Sequence, residues 1–169
     1  MPGYVIHIAI AQEYLRKKGK EYNEEFIKGS VYPDLTNKKF ETHYGKSPAF
    51  TNLKEFILKN EIDTQLNKGK FLHLITDYLF YNHYLEKISK EHIYNDYDIS
   101  NKNLIEKYNV KLIKEVQDTV NFKEGEMKLL TYSLLYKMID EISDLDLDKV
   151  KSEALNDDDK KWNTYKNLI

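Results

Sequence analysis

Cysteine is absent from the sequence, which removes disulfides and thiolate metal ligands together. Any metal site must therefore draw on imidazole nitrogens and carboxylate oxygens. Arg16 is the sole arginine, so the chain cannot assemble a guanidinium clamp for phosphate. There is no glycine-rich phosphate loop, no G-x-S-x-G elbow, no H-E-x-x-H and no adjacent His-Asp doublet. These absences exclude the phosphate-loop, serine-hydrolase, zincin and HD-phosphohydrolase patterns in turn. No run of about 18 apolar residues occurs, so no segment is read as a membrane span. The start, MPGYVIHIAIAQEYLRKK, has no basic residue ahead of its apolar stretch and meets Gln12 and Glu13 early. It does not read as a secretion signal, and a cytoplasmic location is the expectation. The net charge of −2 and pI near 6.2 give no electrostatic reason to expect a nucleic-acid partner.

What is present suits one globular domain. Hydrophobic residues make up 41% and charged residues 32% of the 169 positions, enough to bury a real core. Lysine, tyrosine, asparagine and isoleucine are frequent beside the one arginine, a bias read as that of an AT-rich, bacterial coding sequence.

Helical periodicity recurs along the chain. Ile6, Ile10 and Tyr14 share a face of a helix over 4–18 that stops at Gly19. A short helical piece over 23–28 is expected to end at Gly29. Residues 29–50, rich in Gly, Pro, Ser, Thr and Asn, read as a long loop that Tyr32, Phe40, Tyr44 and Phe50 keep ordered. A helix over 51–60 is expected with Thr51 as its N-cap and Glu55 nearby. A longer helix over about 63–90 holds FLHLITDYLFY (71–81), apolar on nearly every side and so buried all round. A turn is expected at 91–100, then helices over 101–119, 124–142 and 146–155, with a charged tail over 156–169. Tyr78, Tyr81, Leu85 and Ile88 read as one core stripe, and Met127, Leu130, Leu134 and Met138 as another. Trp162 is expected to pin the tail, and its DDDKK run to be solvated. The expected fold is an all-α, single-domain multi-helix bundle around the central helix.

The chemistry centres on His73 and Asp77, four residues apart and hence on one face of that buried helix. A buried carboxylate is costly unless paired or bound to metal. H-x-x-x-D presents an imidazole and a carboxylate to one point, as zinc-type sites require. All five histidines lie in the first 92 residues: His7 beside Ile6, Ile10 and Ala11, His43 nine residues after Asp34, then His73, His83 and His92. The set suits zinc, and also manganese, iron or nickel. Each member has a plain reading too. His73 and Asp77 can form a core hydrogen bond, His7 can be a satisfied core residue, and Pro33-Asp34 can be a turn. His43, His83 and His92 can be solvated.

The order His7, Pro33-Asp34, His43, His73-x-x-x-Asp77, then His83 resembles the zinc-dependent phospholipase C family. That family shares its fold with single-strand-specific zinc nucleases. In it, H-x-x-x-D is followed six residues later by a histidine, and an H-x-x-x-E comes further on. Here His92 and Asp96 (HIYND) stand in that place with aspartate for glutamate. MPGYVIHIAIA and FIKGSVYPDL also resemble short bacterial members, and the likeness covers roughly 1–98. It implies one to three zinc ions, the first held by Asp34, His43, His73 and Asp77, and a second by His7 with Asp77 as bridge. A third would use His83, His92 and Asp96. It further implies a phosphoric-ester hydrolase in which metal-activated water attacks phosphorus and Asp34 is the general base. On a straight helix His83 points about 120° away from Asp77, and Asp98 is an alternative carboxylate. A small phosphoester or a phospholipid is the expected substrate class. The alternatives are a non-catalytic metal-binding or interaction domain with a structural zinc, and a plain helical domain with a polar core.

Overall fold

A computed structural model describes residues 3–85 and 89–156. Among them the α-helices run α1 Tyr4–Lys17, α2 Glu24–Val31, α3 Lys39–His43, α4 Leu53–Lys59, α5 Gln65–Leu79, α6 Lys90–Tyr108, α7 Tyr132–Asp144 and α8 Leu147–Asn156, and no strand is present. The all-α expectation holds. One hydrophobic cluster runs from Val5 of α1 to Ala154 of α8. No helix of the described residues is long and apolar enough to cross a membrane.

The central helix is α5. The Thr64 hydroxyl caps it by accepting the Asn67 N–H at 3.2 Å, and every residue from Phe71 to Leu79 is buried. Beside it lies α2, capped by Asn23, whose side chain accepts the Phe26 N–H at 2.9 Å, with Glu24 and Glu25 at the positive end of the helix dipole. The two helices meet backbone to backbone at Gly29 and Gly69. A Cβ on Gly69 would stand inside the contact distance of the Phe26 carbonyl oxygen and 2.9 Å from Gly29 Cα. This crossing fixes the height of the α2 C-terminus along α5, and with it the metal-ligand candidates.

Several boundaries differ from expectation. Gly29 does not stop α2, which runs on to Val31; its missing side chain serves the crossing instead. Residues 29–50 are not a loop, because 3₁₀ turns at Tyr32–Asp34 and Pro48–Phe50 flank α3. Thr51 does not cap α4. Asn52 does, accepting the Glu55 N–H at 2.8 Å, while the buried Thr51 hydroxyl donates to the Leu74 carbonyl at 3.2 Å. The helix expected over 63–90 ends at Leu79 and widens into a π-turn at Phe80–Tyr84. The expected turn at 91–100 is helical: Ile93, Tyr97, Ser100 and Leu104 line the buried face of α6, with polar members that hide its periodicity. That helix ends at Tyr108, before Asn109 in the left-handed conformation at φ 48°, so 109–119 is not its continuation. Nor is 124–131 helical, and α7 begins only at Tyr132.

Tyr78 is core, and Tyr81 and Leu85 pack against it; Ile88 lies outside the described residues. Leu130 and Met138 are buried with Met127 and Leu134 partly so, although only Leu134 and Met138 are on α7. The tail residues 157–169, with Trp162 and the DDDKK run, also lie outside the described residues.

Candidate metal centre

Four segments converge on one buried point. His73 and Asp77 come from α5, Asp34 from the 3₁₀ turn after α2, His43 from the last residue of α3, and His7 from α1. All five are at most 5% exposed. The Thr42 hydroxyl donates to the Pro33 carbonyl at 2.8 Å, tying α3 to the turn that carries Asp34. The Tyr4 hydroxyl donates to the Asp34 carbonyl at 3.2 Å, tying in α1. Tyr44, left-handed at φ 54°, ends α3 directly after His43.

Backbone carbonyls set the histidine tautomers. His73 Nδ1 lies 2.7 Å from the Ser30 carbonyl and His43 Nδ1 lies 2.9 Å from the Lys39 carbonyl. A carbonyl only accepts, so each Nδ1 carries a proton and donates it. The Nε2 atoms are left facing each other, 3.2 Å apart. This is the arrangement by which metal-ligating histidines are oriented.

Carboxylate oxygens stand close to both Nε2 atoms. His43 Nε2 lies 3.0 Å from Asp77 Oδ2 and 3.5 Å from Asp34 Oδ1. His73 Nε2 lies 3.4 Å from Asp77 Oδ2 and 3.8 Å from Asp34 Oδ2. A tetrahedral ion with bonds of about 2.0–2.1 Å places its ligands ~3.3–3.4 Å apart, the middle of this range. The contacts are close, yet no oxygen of Asp34 or Asp77 receives a well-aligned hydrogen bond. In the metal-free protein their charge is met by ion pairs, with His43 at 3.0 and 3.5 Å and with Lys39 Nζ at 3.5 Å from Asp34 Oδ1, and a cation at this point would replace the His43 proton as their partner. The nitrogens and oxygens lie within ligand-to-ligand distance of one another, in groups that could hold a metal ion.

Asp77 also faces the other way. Its Oδ1 lies 3.3 Å from His7 Nε2, and the His7 ring stacks on His73 with centroids 4.0 Å apart. Both His7 nitrogens are buried without an aligned partner. Two overlapping groups could hold an ion, Asp34/His43/His73 and His7/His73/Asp77. The two groups share His73, and Asp77 faces both sides.

Electrostatics differ across the cluster. Burial, reinforced by His73, pushes His7 down to about 4. Burial also opposes charge on His43, but the Asp34 and Asp77 carboxylates outweigh it and raise His43 to about 9. Burial disfavours charged Asp77 and Asp34, yet the surrounding imidazoles hold both below the usual carboxylate range. A metal must therefore displace the His43 proton. Metal affinity is expected to rise about ten-fold per pH unit up to about pH 9. For the metal-free protein the sign is opposite. Stabilisation by the charged His43 is complete below 6.5 and is lost as pH climbs through about 9. Melting curves of chelated protein from pH 6 to 10 should thus fall, and metal-loaded protein should not follow them; parallel curves would contradict this.

The remaining candidates are not brought here. His83 is exposed on the π-turn with its ring edge against Tyr84, and His92 is half-buried in the first turn of α6. Asp96 is buried but accepts the backbone N–H groups of Lys128, Leu129 and Leu130 at 2.7–3.1 Å. Both its oxygens hold the chain before α7, so it is a structural anchor. Among the described residues these three share no ligand group. Sequence reasoning did not find the Ser30 and Lys39 carbonyls, or Lys39 Nζ at 3.5 Å from Asp34 Oδ1. Lys39 precedes His43 by one helical turn, a signal that becomes usable once α3 is known to be a helix.

Compared with protein-family models, curated proteins and solved structures, the chain matches none. Its residues therefore carry the functional case. The buried imidazole nitrogens and carboxylate oxygens form groups that could hold a metal ion.

Proposed function

We propose that this chain is a metal-dependent hydrolase of phosphoric esters, with zinc as the ion its donor set fits best. The observation that carries this is the two-faced Asp77, with Oδ2 among His43 and His73 and Oδ1 against His7. The first group, Asp34 with His43 and His73, has Asp77 Oδ2 beside it at 3.0 Å from His43 Nε2. The second group, His7 with His73 and Asp77, offers three protein ligands, and a fourth position on an ion there would fall to water or substrate. Divalent ions there would supply Lewis-acid charge for phosphoryl oxygens, a task that a chain with one arginine has few other means to perform. Asp34, held ionised by the surrounding imidazoles, accepts the proton of the attacking water. Lys39, half-buried beside Asp34, offers its ammonium to the phosphoryl group. Ser30 and the Lys39 carbonyl keep the ligand rings oriented. The resemblance to zinc-dependent phospholipases C supports the same chemistry.

A second reading, a structural metal site without catalysis, is favoured by one observation: all five candidates are at most 5% exposed. One experiment separates them. Untagged protein is purified without chelator, its metal counted, and a chromogenic phosphodiester and monoester are assayed. The hydrolase reading expects turnover that chelation removes and added zinc or manganese restores. It also expects His7→Ala to lose turnover while keeping one ion. Loss of melting temperature on chelation, with no turnover under any metal, would establish the structural reading instead.

A further inference from the structure

A hollow of about 370 Å³ is lined by the 3₁₀ turn Pro48–Phe50, the π-turn and the start of α6. Its walls are tied together. The Asn82 amide of the π-turn donates to the Ala49 carbonyl at 3.0 Å, and the Phe50 N–H donates to the Ser47 carbonyl at 2.8 Å. Tyr81 stands edge-on to the buried Phe80 with centroids 5.1 Å apart, and Tyr94 edge-on to the buried Tyr97 at 6.0 Å. Core rings therefore brace two of the aromatic rings in the lining. Lys39 also lines the hollow, and its Nζ lies 3.5 Å from Asp34 Oδ1. One side chain thus joins the hollow to the metal centre.

We propose that this hollow recognises the phosphate monoester of a small aromatic alcohol, its ring against Phe50 and Tyr94 and its phosphate near Lys39 and Lys90. The proposal rests on the hydrolase reading, whose substrate class it narrows. Charge selects the phosphate. Among the described residues the lining holds two lysines and no carboxylate, in a chain whose net charge is −2. A monoester phosphate carries roughly −1.5 to −2 at neutral pH and matches that pair, whereas a diester carries a single charge. The rest of the lining selects a ring. Phe50, Tyr81 and Tyr94 stand beside Pro48 and Ile93, and aromatic walls favour a ring that stacks or meets them edge to face. Phe50 is 64% and Tyr94 54% exposed, so both are open to a ligand. No Asp, Glu, Asn or Gln lines the hollow to hold the hydroxyls of a sugar, the task a carboxylate performs for ribose. The volume stands at the lower end of the ~300–1,000 Å³ usual for small-molecule sites. It admits one ring and a phosphate, not two acyl chains.

Phenylphosphonate carries the same ring and charge on a bond that water does not cleave, so it separates binding from turnover. Saturation-transfer NMR of the full chain, with and without zinc, should show saturable binding that added salt weakens. Phenylphosphonate should bind about three- to ten-fold tighter than methylphosphonate, the worth of one aromatic contact. Phe50→Leu, which keeps an apolar side chain, should erase that preference. Lys90→Gln should weaken both ligands about three- to five-fold. Both positions are exposed, so neither variant should lower the melting temperature. Equal binding of the two phosphonates, tighter binding of glycerol phosphate or dispersed phosphatidic acid, or binding that survives both variants would overturn the proposal. Each would do so even if phenyl phosphate were turned over, which would leave the hydrolase reading standing. Ring-dependent binding lost in both variants, with no turnover under any metal, would support the pocket and sink the hydrolase reading.

Discussion

Asp77→Asn should lower the affinity for zinc by more than about 100-fold while leaving the helix content intact. Loss of a residue that merely orients a ligand typically costs 10–100-fold, and Asp77 is placed to ligate directly. It stands within 3.4 Å of three histidine Nε2 atoms and has no aligned hydrogen bond of its own. Asparagine keeps the shape and replaces one anionic oxygen with an amide donor, so the change isolates charge from packing. His83→Ala and His92→Ala supply the contrast: one residue is exposed, the other half-buried, and neither belongs to a ligand group. Both should leave affinity unaltered. Competition against a chromophoric chelator measures all three. Equal affinity for wild type and Asp77→Asn would remove Asp77 from the metal centre.

Gly69→Ala should destabilise the protein by about 3 kcal/mol, the upper part of the range for forcing atoms into a packed interior. The sign is diagnostic, because glycine to alanine inside a helix ordinarily stabilises by up to about 1 kcal/mol. Here the new methyl would strike the Phe26 carbonyl, Gly29 Cα and the Ser30 amide, the last two at 2.9 Å. All are backbone atoms, so no side-chain rotation relieves the clash and α2 must move off α5. That motion carries the Ser30 carbonyl away from His73 Nδ1, so zinc affinity should fall as well. Thermal unfolding with chelator and with zinc reads both effects. An unchanged melting temperature would show that the helices do not meet at these glycines.

Much of this centre was legible in the sequence, and the reasons are physical. His73 and Asp77 stood out because polar residues one turn apart interrupt a run that is otherwise apolar. His7, Asp34 and His43 were joined to them by the resemblance to the residue order of the zinc-dependent phospholipase C family, with no cysteine to compete for the role. What could not be read depended on contacts distant in sequence. Asp96 is consumed by N–H groups 32–34 residues further on, and nothing local announces that. The phase of His83 depends on a π-turn that begins at Phe80, whereas an ideal helix was the only available ruler. Residues 91–100 concealed a helix because its buried face carries Asp96, Ser100 and Asn101 in place of aliphatic residues. Gly29 read as a terminator because a glycine's two uses, ending a helix and admitting a neighbouring backbone, look identical until the neighbour is known.

The central claim, a metal centre built by Asp34, His43, His73 and Asp77, is tested most directly by counting metal in the chain itself. Protein purified without chelator and then dialysed against trace zinc, manganese, iron or nickel is analysed by native and elemental mass spectrometry. At least one tightly held divalent ion per chain is expected in the wild type, and none in Asp77→Asn. Wild-type protein that folds normally yet retains no ion from any of the four metals would contradict the account.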